Sequence, residues 1–237
     1  MRNMYRSQRS GSDLNSYAQK IKVYFDTICP WCYIGSRSLA QAIAIYQKTY
    51  PGARDDSLEY EFLPFYLNTD TGQHGLTMRE AAARKNGAER VEGVLKRLHR
   101  TGRQVGIEFD FEGKTGATKM SHALTHGIGR EKGWEVQKAV IEEVYRWHFE
   151  HGGDICDRAG LIGVARNVGI SEGEGEKWID DEDVGRRVDQ LAAQVRDEGI
   201  DSVPTMFIGE VRVDGAEDVE GMFQALVAAR EAAAITT

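Results

Sequence analysis

The chain lacks any apolar run near the roughly 18 residues of a membrane-spanning helix, which argues against an integral membrane protein. Cysteine is scarce, three residues in 237, and that excludes a small secreted scaffold held by dense disulfides. A basic excess is missing too. The 30 Lys and Arg against 37 Asp and Glu leave a net charge of −7, so general nucleic-acid binding is not expected. The first twenty residues contain no apolar h-region, the mark of a secretory signal peptide. Internal repeats and low-complexity stretches are absent as well.

What is present is ordinary globular material, 41% hydrophobic and 28% charged, with length for a substantial core and one to two domains. Residues 1–20 read as a flexible polar tail. Arg2, Arg6 and Arg9 with four serines in that stretch leave an organellar transit peptide as the alternative. The cysteines divide unequally: Cys29 and Cys32 form a C-x-x-C and Cys156 stands alone. One tight pair in an odd count fits an intracellular chain whose pair does chemistry, so the cytoplasm is the expected compartment.

Ile21–Phe25 is rich in β-formers and reads as a strand running through Asp26-Thr27-Ile28 into Cys29-Pro30-Trp31-Cys32. Leu39, Ala42, Ile43, Tyr46 and Tyr50 then recur on one helical face, which Pro51-Gly52 ends. Leu58–Leu63 is a second strand, broken near Pro64. This β-α-β unit predicts a parallel pair with a right-handed crossover. From 75 to 199 the pattern is helical, with segments between Thr77 and Gly102, from Trp134 to Gly152, around Leu161–Val168 and around Val184–Val195. Thr205–Ile208 and Val211–Val213 then predict a hairpin turning at Gly209-Glu210, followed by a helix over 217–234. The expectation is an α/β fold in which residues 21–74 and 200–237 form one unit and residues 75–199 an all-helical insertion. Residues 79–103 carry a net charge of +5, read as a solvated helix face since no aromatic interrupts the basic run, with an anionic-ligand patch as the alternative. Residues 171–201 carry −7.

A C-x-x-C at a strand-to-helix handover has a chemical reason for its spacing. Residues i and i+3 lie on one side of a first helical turn, so the two sulfurs can meet. The first sits at the helix N-terminus, whose unpaired N–H groups and positive dipole end favour thiolate, the nucleophilic form. Cys29 is thus the expected attacker and Cys32 the resolving thiol. Pro30 suits a first helical position, where its missing N–H costs nothing. Zinc is a competing use of C-x-x-C, and His122 and His126 have H-x₃-H spacing, but no second ligand module is evident and no metal is expected. Those histidines read as partly exposed polar residues. A structural Cys29–Cys32 disulfide would close too small a loop to constrain the unfolded chain much. Asp26, three residues before Cys29, is a candidate for proton transfer with Cys32 or for a turn or cap. Trp31 is a candidate apolar contact for substrate, and Cys156 reads as a buried apolar thiol. Arg37, Glu150 and Asp154 suggest no chemistry by themselves.

Asp26-Thr27-Ile28-Cys29-Pro30-Trp31-Cys32-Tyr33-Ile34-Gly35 resembles the active-site segment of DsbA-family thioredoxin-fold proteins, in particular the FrnE-type branch. Pro64–Asn68, Phe149–Ile155, Ser202-Val203-Pro204-Thr205 and Val213–Ala216 resemble further family segments in the same order. The resemblance implies a thioredoxin fold (β-α-β, then β-β-α) interrupted by a helical insertion. It assigns Pro204 to the family's cis-proline, which would leave the backbone at Val203 open to an extended substrate by strand addition. A proline starting an edge strand is the plainer reading of that position.

The function expected is thiol–disulfide exchange at Cys29 and Cys32, with Pro30, Trp31, Val203 and Pro204 on the substrate side and no cofactor required. The partners would be disulfide- or thiol-bearing proteins or peptides, or glutathione as reductant or co-substrate; the insertion also offers surface for a homodimer. Two other readings fit. One is a glutathione-dependent isomerase or transferase, similar to 2-hydroxychromene-2-carboxylate isomerase and the kappa-class glutathione transferases, which typically carry serine where this chain has Cys29. The other is a peptide-binding, chaperone-like module without turnover.

Overall fold

The first strand begins earlier than its sequence suggests. In the computed structural model, which describes residues 17–67 and 75–236, strand β1 covers Ala18–Phe25 and buries Gln19 and Ile21 while exposing Ala18 and Lys20. Residues 18–20, expected to belong to a polar tail, are therefore sheet, because Gln19 fits the inward face of the alternation despite its polarity. The rest of that tail, with Arg2, Arg6 and Arg9, lies outside the described residues, as does Asn68.

Helix α1 follows over Pro30–Thr49, then a 3₁₀ turn at Ala53–Asp55 and strand β2 at Ser57–Pro64. Pro64 closes β2 and does not break it. Opposite Phe25 at the strand end it needs no ladder donor, and the next N–H, that of Phe65, reaches the Phe25 carbonyl at 2.9 Å. Seven helices come next among the described residues: α2 (Met78–Asn86), α3 (Ala88–Gln104), α4 (Lys119–Lys132), α5 (Trp134–Glu150), α6 (Arg158–Asn167), α7 (Glu172–Asp180) and α8 (Glu182–Asp197). Strands β3 (Thr205–Ile208) and β4 (Val211–Asp214) and helix α9 (Val219–Thr236) complete the chain. The basic segment from Thr77 to Gly102 is two helices, broken where Gly87 takes a φ of 88°. Thr77 and Glu80 start the first of them with a reciprocal capping box.

The sheet order is β2-β1-β3-β4, with β1 and β2 parallel and the other pairs antiparallel. Val23 faces Phe62 on one side and Met206 on the other, which fixes the register of the centre. One apolar cluster joins Ile21, Val23 and Phe25 of β1 to Leu39 and Tyr46 of α1 and to Met222 and Leu226 of α9. That cluster continues into Leu95 and Leu98 of α3, Phe109 and Phe111 of the loop after it, and Tyr145 and Phe149 of α5. The helices between β2 and β3 thus complete the hydrophobic core of the sheet. A second cluster, centred on Trp178, Leu124, Val144 and Leu161, holds α4–α7 together, and a third packs Val195 and Ile200 on Tyr24 and Phe65 of the opposite sheet face.

Candidate active site

Asp26 turns the chain from β1 into α1. The N–H of Cys29 donates to the Asp26 carbonyl at 3.1 Å, and the N–H groups of Cys32 and Tyr33 return to the Cys29 carbonyl at 3.0 and 3.3 Å. Cys29 is therefore the N-cap of α1, with Pro30 in the first helical position. Its side chain makes no capping bond, and the first turn holds no acidic residue. The positive end of the helix dipole is thus left to the sulfur. Cys32 stands one turn on; both thiols are free and nearly buried, at 3% and 2% exposure. Burial pushes the Cys32 thiol well above its ordinary range, reinforced by its hydrogen bond with the Cys29 side chain.

The Cys29 Sγ–H donates to the carbonyl oxygen of Val203 at 3.5 Å, and the Val203–Pro204 peptide bond is cis. The Pro204 carbonyl accepts from Gly215 N–H at 2.8 Å, tying this loop to the far end of the β3–β4 hairpin. Gly35 lets α1 come this close. A Cβ there would stand 3.2 Å from Met206 Cε and 3.4 Å from Pro204 Cγ. The structure thus brings Cys29, Cys32, Pro30, Val203 and Pro204 to one end of the sheet. Trp31 joins them, half-buried, with the Arg97 guanidinium of α3 lying 4.9 Å from its ring centroid.

The carboxylate of Asp26 is fully buried. One oxygen accepts from Leu67 N–H at 2.7 Å, and the other lies 3.2 Å from His122 Nε2 on α4. His122 itself is 1% exposed, set edge-on between the rings of Phe25 and Tyr66. This corrects its reading as a partly exposed polar residue. Its H-x₃-H partner His126 faces a different environment, lining a cavity with Arg130 and Arg187. No group of three or more His, Cys, Asp and Glu side chains is arranged for a metal ion among the described residues. Beside His122, Ser121 Oγ and Thr27 Oγ1 meet at 2.7 Å, so two consecutive α4 residues hold the loop that precedes Cys29.

His122 was missed as a site residue because it lies in an unbroken buried run of α4, from Ser121 to Thr125. A run buried on every side shows little polar–apolar period, and its inward polar residues read as surface. Arg37 and Glu150, silent in the sequence, converge on Tyr33. Its hydroxyl donates to Glu150 Oε1 at 2.5 Å and accepts from Arg37 Nη2 at 2.9 Å, while its ring stacks on Tyr145 and Phe149. Tyr145 in turn donates its hydroxyl to the Asp26 carbonyl at 3.5 Å. Asp154 shapes a turn by accepting from Cys156 N–H. Cys156 is half-exposed, a correction to its reading as buried, and desolvation pushes its thiol up. Its sulfur points to the Ala117 carbonyl at 3.6 Å.

A cavity of about 670 Å³ lies between α4 and α8 and contains neither Cys29 nor Cys32. The described helices include none long and apolar enough to cross a membrane.

Residues 20–227 match the DSBA-like thioredoxin domain family. A probable DsbA oxidoreductase from Streptomyces coelicolor has a similar structure, with a TM-score of 0.77, 22% identity and 90% of each chain covered. A 2-hydroxychromene-2-carboxylate isomerase gives 0.67 at 16% identity, covering 92% of this chain and 99% of its own. The cytosolic disulfide reductase DsbM from Pseudomonas aeruginosa gives 0.60 at 17% identity, covering 92% and 100%, and its structure is also known with GSH. At these identities each likeness is one of fold.

Proposed function

The chain belongs to the DSBA-like thioredoxin domain family, and from that premise we propose that it is a thiol–disulfide oxidoreductase working through Cys29 and Cys32. The observation that carries this reading is the placement of Cys29 as an uncapped N-cap, its sulfur on the Val203 carbonyl and Cys32 one turn behind. The Cys29 thiolate attacks one sulfur of a substrate disulfide, forming a Cys29–substrate bond and releasing the other sulfur as a thiolate that takes up a proton. Cys32 then loses its proton and attacks Cys29 Sγ. The second substrate thiol leaves, two electrons have passed to the substrate, and the protein holds a Cys29–Cys32 disulfide. Two equivalents of a thiol such as glutathione restore the dithiol and leave as their own disulfide, and the reverse sequence donates a disulfide.

The division of labour follows from burial. A Cys32 thiol held protonated does not compete for substrate, and it becomes a nucleophile only beside the mixed disulfide. Two thiols carry both electrons, so the scheme requires no metal or nucleotide. Asp26 enters as the group that holds the turn before Cys29, its carbonyl on the Cys29 N–H and its carboxylate on His122 and Leu67. The reading takes the cytoplasm as its compartment, supported by the cysteine usage.

The test is to equilibrate the protein against glutathione redox buffers and to repeat the experiment with Cys32→Ser. A measurable dithiol potential and mixed disulfides trapped on Cys29 are expected. Absence of both would sink the proposal. The fold shared with the chromene-carboxylate isomerase keeps a second reading in view: glutathione-dependent isomerase activity that survives Cys29→Ser would put it first. Peptide binding that survives Cys29→Ser, without turnover in the wild type, would instead favour a binding module.

A further inference from the structure

The basic stretch of α3 is not merely a solvated face, because the fold lays it beside the cysteine motif. Arg97 stacks its guanidinium on the ring of Trp31, the residue between Pro30 and Cys32. Arg97 is exposed, as are Lys96 beside it and Arg100 one turn along the same helix. Among the described residues none of these three cations takes part in a salt bridge, whereas Arg79, Arg90 and Arg103 of the same stretch all do. Of the acids earlier on the same helix, Glu92 holds Arg79 and Glu89 lies by Arg90. Across the neighbouring cavity beyond Thr101 lie Glu217, Asp218 and Glu220, of which Asp218 caps Gly221 N–H and Glu220 accepts from Gln224. An apolar ring thus carries a pre-positioned guanidinium that no salt bridge holds, with a second cation one turn along the helix. Arg is suited to this because its planar fork can accept a carboxylate while its face remains on the indole.

We propose that Arg97, seated on Trp31 and backed by Arg100, forms an anion-binding subsite that selects disulfides bearing carboxylates close to the sulfurs. The inference rests on the oxidoreductase reading and adds the charge of its substrate. The shared chemistry has two sources, glutathione disulfide and a disulfide flanked by acidic residues in a polypeptide.

The test uses the full-length reduced protein, followed by its tryptophan fluorescence as it is oxidised. The oxidants are three small disulfides of similar size: 3,3′-dithiodipropionate (anionic), 2-hydroxyethyl disulfide (neutral) and cystamine (cationic). Each rate is normalised to that of free dithiothreitol with the same disulfide. The wild type is expected to favour the anionic over the neutral disulfide by roughly three- to tenfold at low salt, and less as salt rises. Arg97→Glu should abolish or invert that ratio, and Arg97→Lys should keep part of it. An unchanged ratio in Arg97→Glu would overturn the subsite while leaving the oxidoreductase reading intact. If no disulfide oxidises the wild type, that reading fails, and the subsite is judged by binding of the thioether 3,3′-thiodipropionate. Loss of that binding in Arg97→Glu supports the subsite, and its absence in the wild type, or equal binding by both, refutes it. Glutathione disulfide and a glutamate-flanked peptide disulfide then separate the two sources. A selective loss with either in Arg97→Glu supports the proposal, the larger loss naming the source; loss with neither counts against it.

Discussion

Replacing His122 by leucine should destabilise the protein by about 3 kcal/mol, more than any surface substitution in the chain. Leucine preserves much of the apolar volume between Phe25 and Tyr66, so the cost is chiefly polar. His122 Nε2 is one of two groups on the Asp26 carboxylate, the other being Leu67 N–H at 2.7 Å. Asp26 is fully buried, so water cannot replace the lost partner. Leaving a buried polar group unsatisfied costs about 1–3 kcal/mol. The full burial of Asp26 puts the value at the top of that range. For a chain of this length it corresponds to a fall in Tm of about 6–12 °C. Urea denaturation of the reduced protein at neutral pH measures it, alongside Asp26→Asn and the double variant. If the pair interacts as drawn, the double variant recovers about 1–2 kcal/mol of the summed single losses. Additivity within about 0.5 kcal/mol would refute the pairing, and a His122→Leu loss below about 1 kcal/mol would refute the burial argument.

Three further outcomes are expected. Gly35→Ala should be near neutral, because gaining about 1 kcal/mol of helix propensity offsets contacts of 3.2 and 3.4 Å to Met206 and Pro204; Gly35→Val should cost about 2 kcal/mol by urea titration and slow disulfide exchange. Cys32 adds alkaline sensitivity. Its folded thiol is held above the unfolded value of about 8.5, so between the two the unfolded state has lost a proton that the folded state keeps, and stability falls as pH rises by up to about 1.4 kcal/mol per pH unit. Cys32→Ala should remove that part of the slope in urea titrations from pH 8 upward, and an unchanged slope would contradict the assignment. Tyr33→Phe, which strips the hydroxyl from Glu150 and Arg37, should lower stability by about 1–2 kcal/mol while keeping the ring stack, measured by thermal unfolding.

Much of the fold was open to pattern reading because its helices and strands have one wet side. In α3, Val91, Leu95, Leu98 and Gly102 recur at helical spacing, and in α8 Val184, Val188, Ala192 and Val195 do the same. Pattern failed where contrast failed. Helix α4 buries Ser121–Thr125 without a break, and Gln19 at the start of β1 is a polar residue on an inward position. In the site, Cys29 and Cys32 were legible from spacing, since i and i+3 meet on a helix whatever else the chain does. His122 was not, because the hydrogen bond that gives it a role spans 96 residues. Arg37 and Glu150 were silent for the same reason, their meeting at Tyr33 requiring α1 and α5 to pack.

Local chemistry determined the motif, the strand-to-helix handover around it and the order of elements, because turns, caps and periodicities act over a few residues. Tertiary structure decided what surrounds the sulfurs: the Val203 carbonyl against Cys29, the Asp26–His122 contact beneath the turn, and the guanidinium on Trp31. Each of those joins segments separated by 66 to 174 residues. Short-range spacing carries no information about such meetings, which are set by the pairing of β1 with β3 and by the packing of the helices between β2 and β3 onto the sheet.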